Sequence, residues 1–238
     1  MTNQKFFSEN VKDWHKYLSK IDLTVPSGYQ ILNPFEGTGQ QKIRVSADLF
    51  YQHFYHDKNP RRIIIGSSPA RRGSALTGIP FEDSDRIAKI TGMKTENYHI
   101  QKGSSNFLER VMEEFGGIKK FYSTFYMTFV CPVGIEKRSD KGRLTNVNYY
   151  ENKKLLLSLQ TTVIESLKMQ LDFGIDNSTC YCIGSGENYK YLTRLNSEFR
   201  FFERIIPLEH PRFIMQYNSN KTEYYLKKYL DALMERKI

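Results

Sequence analysis

Cysteine is scarce in this chain, and so are long apolar runs and acidic side chains. There are three cysteines in 238 residues, Cys131, Cys180 and Cys182. Three thiols cannot all pair, and their spacing suits neither a zinc site nor an iron–sulfur cluster. No disulfide framework and no metal are expected; buried thiols in a reducing cytoplasm are. No apolar stretch approaches membrane-spanning length. The opening "MTNQKFFSENVKDWHKYL" is polar and charged, which does not read as a signal peptide. Gly184-Ser185-Gly186 lacks the third glycine of a dinucleotide fingerprint, so no nicotinamide cofactor, and no cofactor of any kind, is expected.

Basic and aromatic residues are abundant. Lys and Arg number 35 against 26 Asp and Glu, a formal net charge of +9. That balance favours an anionic partner, with nucleic acid first and a membrane surface second. The cations are spread in pairs (Arg61-Arg62, Arg71-Arg72, Lys119-Lys120, Lys227-Lys228), which points to a folded basic surface, not a disordered arm. Aromatic residues make up 14% of the chain, enough with the aliphatics for one α/β domain with a sizeable core, residues 1–238.

Helical spacing of apolar residues runs over 3–20, and residues 22–45 are turn-rich with Pro26, Gly28, Pro34, Gly37 and Gly39. Ser46 is placed to cap a helix to about His56. Ile63–Ile65 reads as a fully buried strand. Asp83 or Ser84 caps a short helix, and Ser104 or Ser105 caps the next, to Phe115. A second apolar strand spans Thr124–Val133, followed by a charged loop, Glu136–Arg143, and a long helix from about Tyr149 to Leu171. A third strand, Thr179–Gly184, leads into a helix through Leu195; a fourth spans Phe201–Leu208, before a terminal helix opened by Asn220 or Thr222. Short apolar strands alternating with helices predict a three-layer α/β/α sandwich around a mostly parallel four-stranded sheet. Ligands of such sheets lie beyond the carboxyl ends of the strands. Those ends carry Gly66-Ser67-Ser68-Pro69, Cys131-Pro132, Gly184-Ser185-Gly186 and Glu209-His210-Pro211.

Three stretches make a set: Gly66-Ser67-Ser68-Pro69-Ala70, then Thr77-Gly78-Ile79-Pro80-Phe81, and a late His210-Pro211. Their order and spacing resemble the uracil-DNA glycosylase superfamily, and within it the single-strand-selective monofunctional branch with its bacterial relatives. That branch reads G-x-N-P-G followed by T-G-[IV]-P-F. Gln101-Lys102-Gly103-Ser104-Ser105-Asn106-Phe107, Phe129-Val130-Cys131-Pro132-Val133 and Asn146 to Tyr150 are further echoes, and the likeness covers about residues 33–235.

The resemblance implies excision of uracil, or of another deaminated or modified base, flipped from single- or double-stranded DNA, without metal or covalent intermediate. It assigns Ser68 and His210 to catalysis: Ser68 at the water-positioning place, His210 as the hydrogen-bond donor to the departing base. It gives base binding to Gly66, to Phe81 as the stacking ring, and to Phe129. Arg71 and Arg72 are expected on phosphates, and Pro211, Arg212 and Phe213 in a wedge against the DNA. The competing reading of Phe213-Ile214-Met215 is a short core strand.

Three positions depart from the family where water placement or base reading is concerned. Ser68 replaces the Asn of G-x-N-P-G. Ala75 stands where a related branch places an acid. Phe129 stands where the mammalian-like enzymes carry an Asn that reads the base edge. Glu82 and Asp83, just beyond Phe81, are the remaining candidates for a general base, but helix capping and surface charge is the reading preferred for the pair. The alternative function is a catalytically weak or inactive DNA- or nucleotide-binding protein on the same fold, with a nucleoside or nucleotide hydrolase behind it.

Overall fold

The computed structural model describes residues 5–37, 40–92 and 102–235, with only the backbone of 102 and 103. Gly39 and Gln101 lie outside these residues, as do the first two positions of the helix expected over 3–20. The chain divides into two compact units. One is Met1–Asn59, Ser67–Ile100 and Phe129–Gly174; the other is Pro60–Gly66, Gln101–Thr128 and Ile175–Ile238. Neither is a continuous stretch of sequence.

The first unit opens with α1 (Phe7–Leu18), where the Phe6 N–H donates to Glu9 Oε2 (2.8 Å). Its buried stripe of Phe7, Val11, Trp14 and Leu18 packs on α2 (Gln41–Tyr55) and α7 (Lys153–Leu171). Trp14 Nε1 donates to Ser166 Oγ of α7 (3.0 Å), so the indole is both buried and satisfied. His15 is not: its ring stacks on Phe35 with centroids 4.0 Å apart, and neither nitrogen has a partner among the described residues. Burial pushes its pKa down to about 3, so it is a neutral core residue. The helix expected from Ser46 begins earlier, at Gln41, with Ser46 buried inside it.

Two stretches expected as loops carry strands in this unit. The turn-rich stretch contains β1 (Tyr29–Leu32), and the charged loop is a hairpin of β4 (Gly134–Arg138) and β5 (Leu144–Val147). The three form an antiparallel sheet in the order β1-β4-β5, pairing Ile31 with Ile135 and Ile135 with Val147. Polar residues interrupt the apolar ones in β1 and β5, and charged residues do so in β4, which masks the pattern. The long helix starts at Lys153, because Asn152 caps it by accepting from the Leu155 N–H (3.0 Å).

The second unit holds a four-stranded sheet ordered β3-β2-β6-β7: β2 is Arg61–Gly66, β3 Phe125–Phe129, β6 Ile175–Ile183 and β7 Arg204–Leu208. β2 pairs parallel with β6, Ile63 opposite Cys180, and β6 with β7, Ile183 opposite Leu208. Ile63, Ile64 and Ile65 are buried, as a central parallel strand requires. Pro207 is tolerated because β7 is an edge strand. Helices flank the sheet: α6 (Ile118–Thr124) packs on β2, and α8 (Glu187–Phe199) on β6. α5 (Lys102–Phe115), α9 (Pro211–Tyr217) and α10 (Thr222–Leu233) pack on one another.

The second expected strand stops at Phe129, short of Val133, and the fourth begins at Arg204, later than Phe201. Because β2, β6 and β7 are parallel, their carboxyl ends share one edge of this unit, where the Gly184 N–H donates to Leu208 O (2.8 Å). Cys131, Cys180 and Cys182 are free and buried, and burial raises the Cys131 and Cys182 thiols to about 12. Among the described residues no helix is long and apolar enough to cross a membrane.

Candidate active site

β2 ends at Gly66, buried, and the chain passes directly into a segment held from several sides. Ser67 O accepts from the Cys131 N–H (2.9 Å), which explains why residues 130–133 leave the strand. Ser67 Oγ donates to Asn148 Oδ1 (3.2 Å), and the Arg71 N–H donates to Asn146 Oδ1 (2.7 Å). Gly134 closes against this loop: a Cβ there would lie 2.8 Å from Pro69 O and 2.9 Å from Ala75 Cβ. A one-turn α3 (Ser74–Thr77) then ends at Gly78, whose φ of 70° suits glycine and whose Cβ would strike the Phe35 ring at 2.6 Å. Within this tied loop Ser68 is only 9% exposed, and its Oγ is buried with no hydrogen-bond partner among the described residues.

The two arginines after the loop have different surroundings. Arg71 Nε donates to Glu136 Oε2 (2.6 Å), and Glu136 is buried, so this guanidinium neutralises a carboxylate of its own chain. Arg72 is exposed. Phe81 has φ of +61°, the left-handed region that bulky residues avoid. Its N–H donates to Ser74 Oγ (3.1 Å), and its half-buried ring lies 5.2 Å from the Phe129 ring, tilted by 36°. Strain of this kind persists only where the surroundings impose it, and here the bond to Ser74 helps to hold it.

Asp83 caps α4 (Ser84–Thr91), accepting from the Arg86 N–H (2.9 Å). Glu82 corrects the surface-charge expectation. It is 1% exposed and accepts from Arg86 Nε (2.6 Å) and Nη2 (3.1 Å). A Glu four residues before an Arg reads like a solvated helix pair; burial makes it an anchor directly behind Phe81.

In the second unit β7 delivers Glu209 and His210. The Tyr229 hydroxyl donates to Glu209 O, and Lys228 Nζ to Glu209 Oε1 (2.7 Å). His210 is the N-cap of α9, its Nδ1 accepting from the Arg212 N–H (3.0 Å). Burial first, and the Arg212 charge second, lower its pKa to about 4. A neutral imidazole that accepts at Nδ1 carries its proton on Nε2, so Nε2–H is a donor. Pro211 sits at the first helical position, where its missing N–H costs nothing. Residues 213–215 are helix, not a short strand: Ile214 is buried while Arg212 and Phe213 are exposed. Gly184-Ser185-Gly186 leads into α8, and Asn188 Nδ2 spans that turn to Ile183 O (3.0 Å).

The profile of the Uracil DNA glycosylase superfamily matches residues 53–234. The chain belongs to the uracil DNA glycosylase superfamily. A solved relative is the wild-type SMUG2 of Pedobacter heparinus, 37% identical, with 97% of each chain covered and a TM-score of 0.90. Among curated proteins no sequence matches. Membership gives this glycosylase-fold chain a uracil-DNA glycosylase-like repair function, with DNA as substrate and hydrolysis of an N-glycosyl bond as the reaction.

Three anchors of this glycosylase's loops carry no sequence signal of their own. Glu136 lies in an expected loop, Glu82 resembles a surface acid, and the Ser67–Asn148 bond joins positions 81 residues apart. Only the Asn146 to Tyr150 echo draws attention to Asn148.

Proposed function

We propose that the chain excises a deaminated or modified base, uracil included, after the nucleotide leaves the DNA stack. The observation that carries hydrolysis, not binding alone, is Ser68. A buried hydroxyl with no hydrogen-bond partner among the described residues, at the carboxyl end of a parallel strand, calls for a ligand or water. In this reading Ser68 Oγ orients the attacking water, with the Asn148 amide fixed nearby through Ser67. A serine is not by itself a general base, so its contribution is placement.

Phe81, backed by Phe129, offers the base a ring face, and Gly66 lets backbone approach it. The C1′–N bond breaks with its electron pair leaving on the base, water oxygen bonds C1′, and the proton that this oxygen sheds passes to solvent while the released base anion takes one up. His210 Nε2–H then donates to the oxygen of the base where negative charge gathers. Neutral histidine suits this step, since its donor is already oriented by the bond at Nδ1. Arg72, Arg212, Phe213 and Pro211 are read as DNA contacts; Arg71 reaches phosphate only by leaving Glu136. The chain is further read as one domain, because its segments alternate between the units, and as cytoplasmic, because its three buried thiols are free.

The test is single-turnover release of base from oligonucleotides carrying uracil, hypoxanthine or xanthine, with abasic sites as the product. Release from at least one is expected, and Ser68→Asn is expected to raise excision of uracil. Tight DNA binding with no abasic product from any of the three overturns the hydrolytic reading in favour of a binding protein.

A further inference from the structure

The His15 imidazole in α1 is buried, and neither ring nitrogen has a hydrogen-bond partner among the described residues. Such a group is uncommon in a core, because an apolar side chain would leave no polar atom unsatisfied. What the ring has is aromatic neighbours. Phe35 lies nearly parallel to it, with centroids 4.0 Å apart and planes inclined by 18°, and Tyr51 meets it edge-on at 5.3 Å.

α1 grips Phe35 a second time. Asn33 Nδ2 donates to Leu18 O at the end of the helix (2.7 Å), and the Phe35 N–H donates to Asn33 Oδ1 (3.0 Å). The tip of the Phe35 ring rests on Gly78: a Cβ there would lie 2.6 Å from Phe35 Cζ and 2.8 Å from Cε1. The Gly78 N–H donates to Ser74 O (2.9 Å), and Ser74 Oγ accepts the Phe81 N–H (3.1 Å). Gly78 at φ of 70° and Phe81 at φ of 61° are both left-handed, and both hang on one serine. Strain at Phe81 relaxes unless packing opposes it, and Phe35 is a side chain packed on the turn that leads to it.

We propose that His15 is a positioning residue for base stacking: it clamps Phe35 against Gly78, and the clamped turn holds the Phe81 ring where the base meets it. The proposal rests on Phe81 being the ring that stacks on the base. It also accounts for the orphaned imidazole. A flat ring covers the face of Phe35, which a branched aliphatic side chain would leave partly open, so the ring is kept although its nitrogens go unsatisfied.

Affinity for a duplex carrying one extrahelical base, read by fluorescence anisotropy, tests this without any excision. His15→Leu is expected to unfold at or above the wild-type temperature, since it removes two unsatisfied nitrogens. It is expected to bind that DNA about fivefold more weakly. A fully paired duplex should be bound within about twofold of wild type, and the loss should disappear in the Phe81→Ala background, where the clamp has no ring to hold. Phe35→Leu, which opens the clamp from its other side, should show the same coupling to Phe81. His15→Phe keeps a flat ring and is expected within about twofold of wild type. Amide hydrogen exchange at Gly78 and Phe81 should quicken in His15→Leu, and exchange at Ile63–Ile65 should not.

An equal loss in the Phe81→Ala background, an equal loss on the paired duplex, or a Phe variant as weak as the Leu variant would overturn the clamp. Phe81→Ala without effect on affinity would remove the stacking reading and the clamp with it. Absent excision with the coupling intact would count against hydrolysis alone and leave the clamp standing.

Discussion

Most residues between Gly66 and Pro80 are buried, whereas α9, which also follows a strand end, turns four of its seven side chains to solvent. The loop after β2 is clamped by Cys131, Asn146, Asn148 and the close approach of Gly134, and it spends almost all its polar groups internally. Of its hydroxyls, that of Ser68 is the exception, with no partner among the described residues. After β7 the pattern is reversed: the one polar ring that matters, His210, is oriented by its own helix, and the rings of Phe213 and Tyr217 are left uncovered. Clamping fixes the geometry of a reaction, where misplacement by an ångström is expensive. Uncovered rings suit a partner whose sequence and local shape vary.

The largest effect is expected from His210→Ala, which removes the oriented donor. Single-turnover excision should fall about 10²-fold or more, with DNA affinity far less changed. An equal fall in both would place His210 in binding and dissolve the contrast between the two segments.

Phe81 divides stacking from strain. Phe81→Ala should cost about 1–3 kcal/mol in affinity for DNA carrying an extrahelical base. Phe81→Gly should lose the same affinity yet be more stable than the Ala variant by about 1 kcal/mol, because φ of +61° costs glycine nothing. Thermal or urea unfolding of the pair measures this; identical stabilities would mean the backbone relaxes and the ring is not forced into place.

Arg71 and Arg72 sharpen the comparison within the clamped segment. Arg71→Ala should destabilise the fold by about 1–3 kcal/mol, because Glu136 stays buried without its partner. Arg72→Ala should leave stability alone and lower the salt slope of DNA binding by about one unit. Exchanged outcomes would show that Arg71 serves the phosphates.

The smallest effect is a flat line. With its pKa near 4, His210 stays neutral, so excision should show no step from this group between about pH 6 and 9. The unfolded chain, whose histidine titrates near 6.5, takes the proton first. This group's share of stability therefore falls as pH drops from about 6.5 toward 4, and excision fails once the imidazole is charged. A kinetic pKa near 6.5 that vanishes in His210→Ala would mean the imidazole is solvated and its tautomer free.

Much of the sheet was legible. Ile63–Ile65, the residues around Cys180 and the run to Leu208 are apolar because a parallel strand is covered on both faces, and such runs stand out in sequence. The antiparallel sheet was not legible, since in "GIEKR" and "LTNV" Ile135 and Val147 are the buried apolar side chains, set among charged neighbours in the first and polar ones in the second. Asp83 was legible as a cap because its bond reaches only three residues ahead. Glu82, Glu136 and Asn148 were not: their roles depend on burial or on partners brought by distant segments, which local periodicity does not record.

The pairing of Ile63 with Cys180 has a consequence at the ribosome. β2 emerges early, yet its neighbour β6 follows only after α7 and both strands of the hairpin. At roughly 10 residues per second, the apolar Ile63–Ile65 run waits on the order of ten seconds for that partner. During that interval the side of β2 that β6 will cover is open to chaperones, and slower synthesis between residues 66 and 175 would lower the yield of folded protein without altering a single native contact.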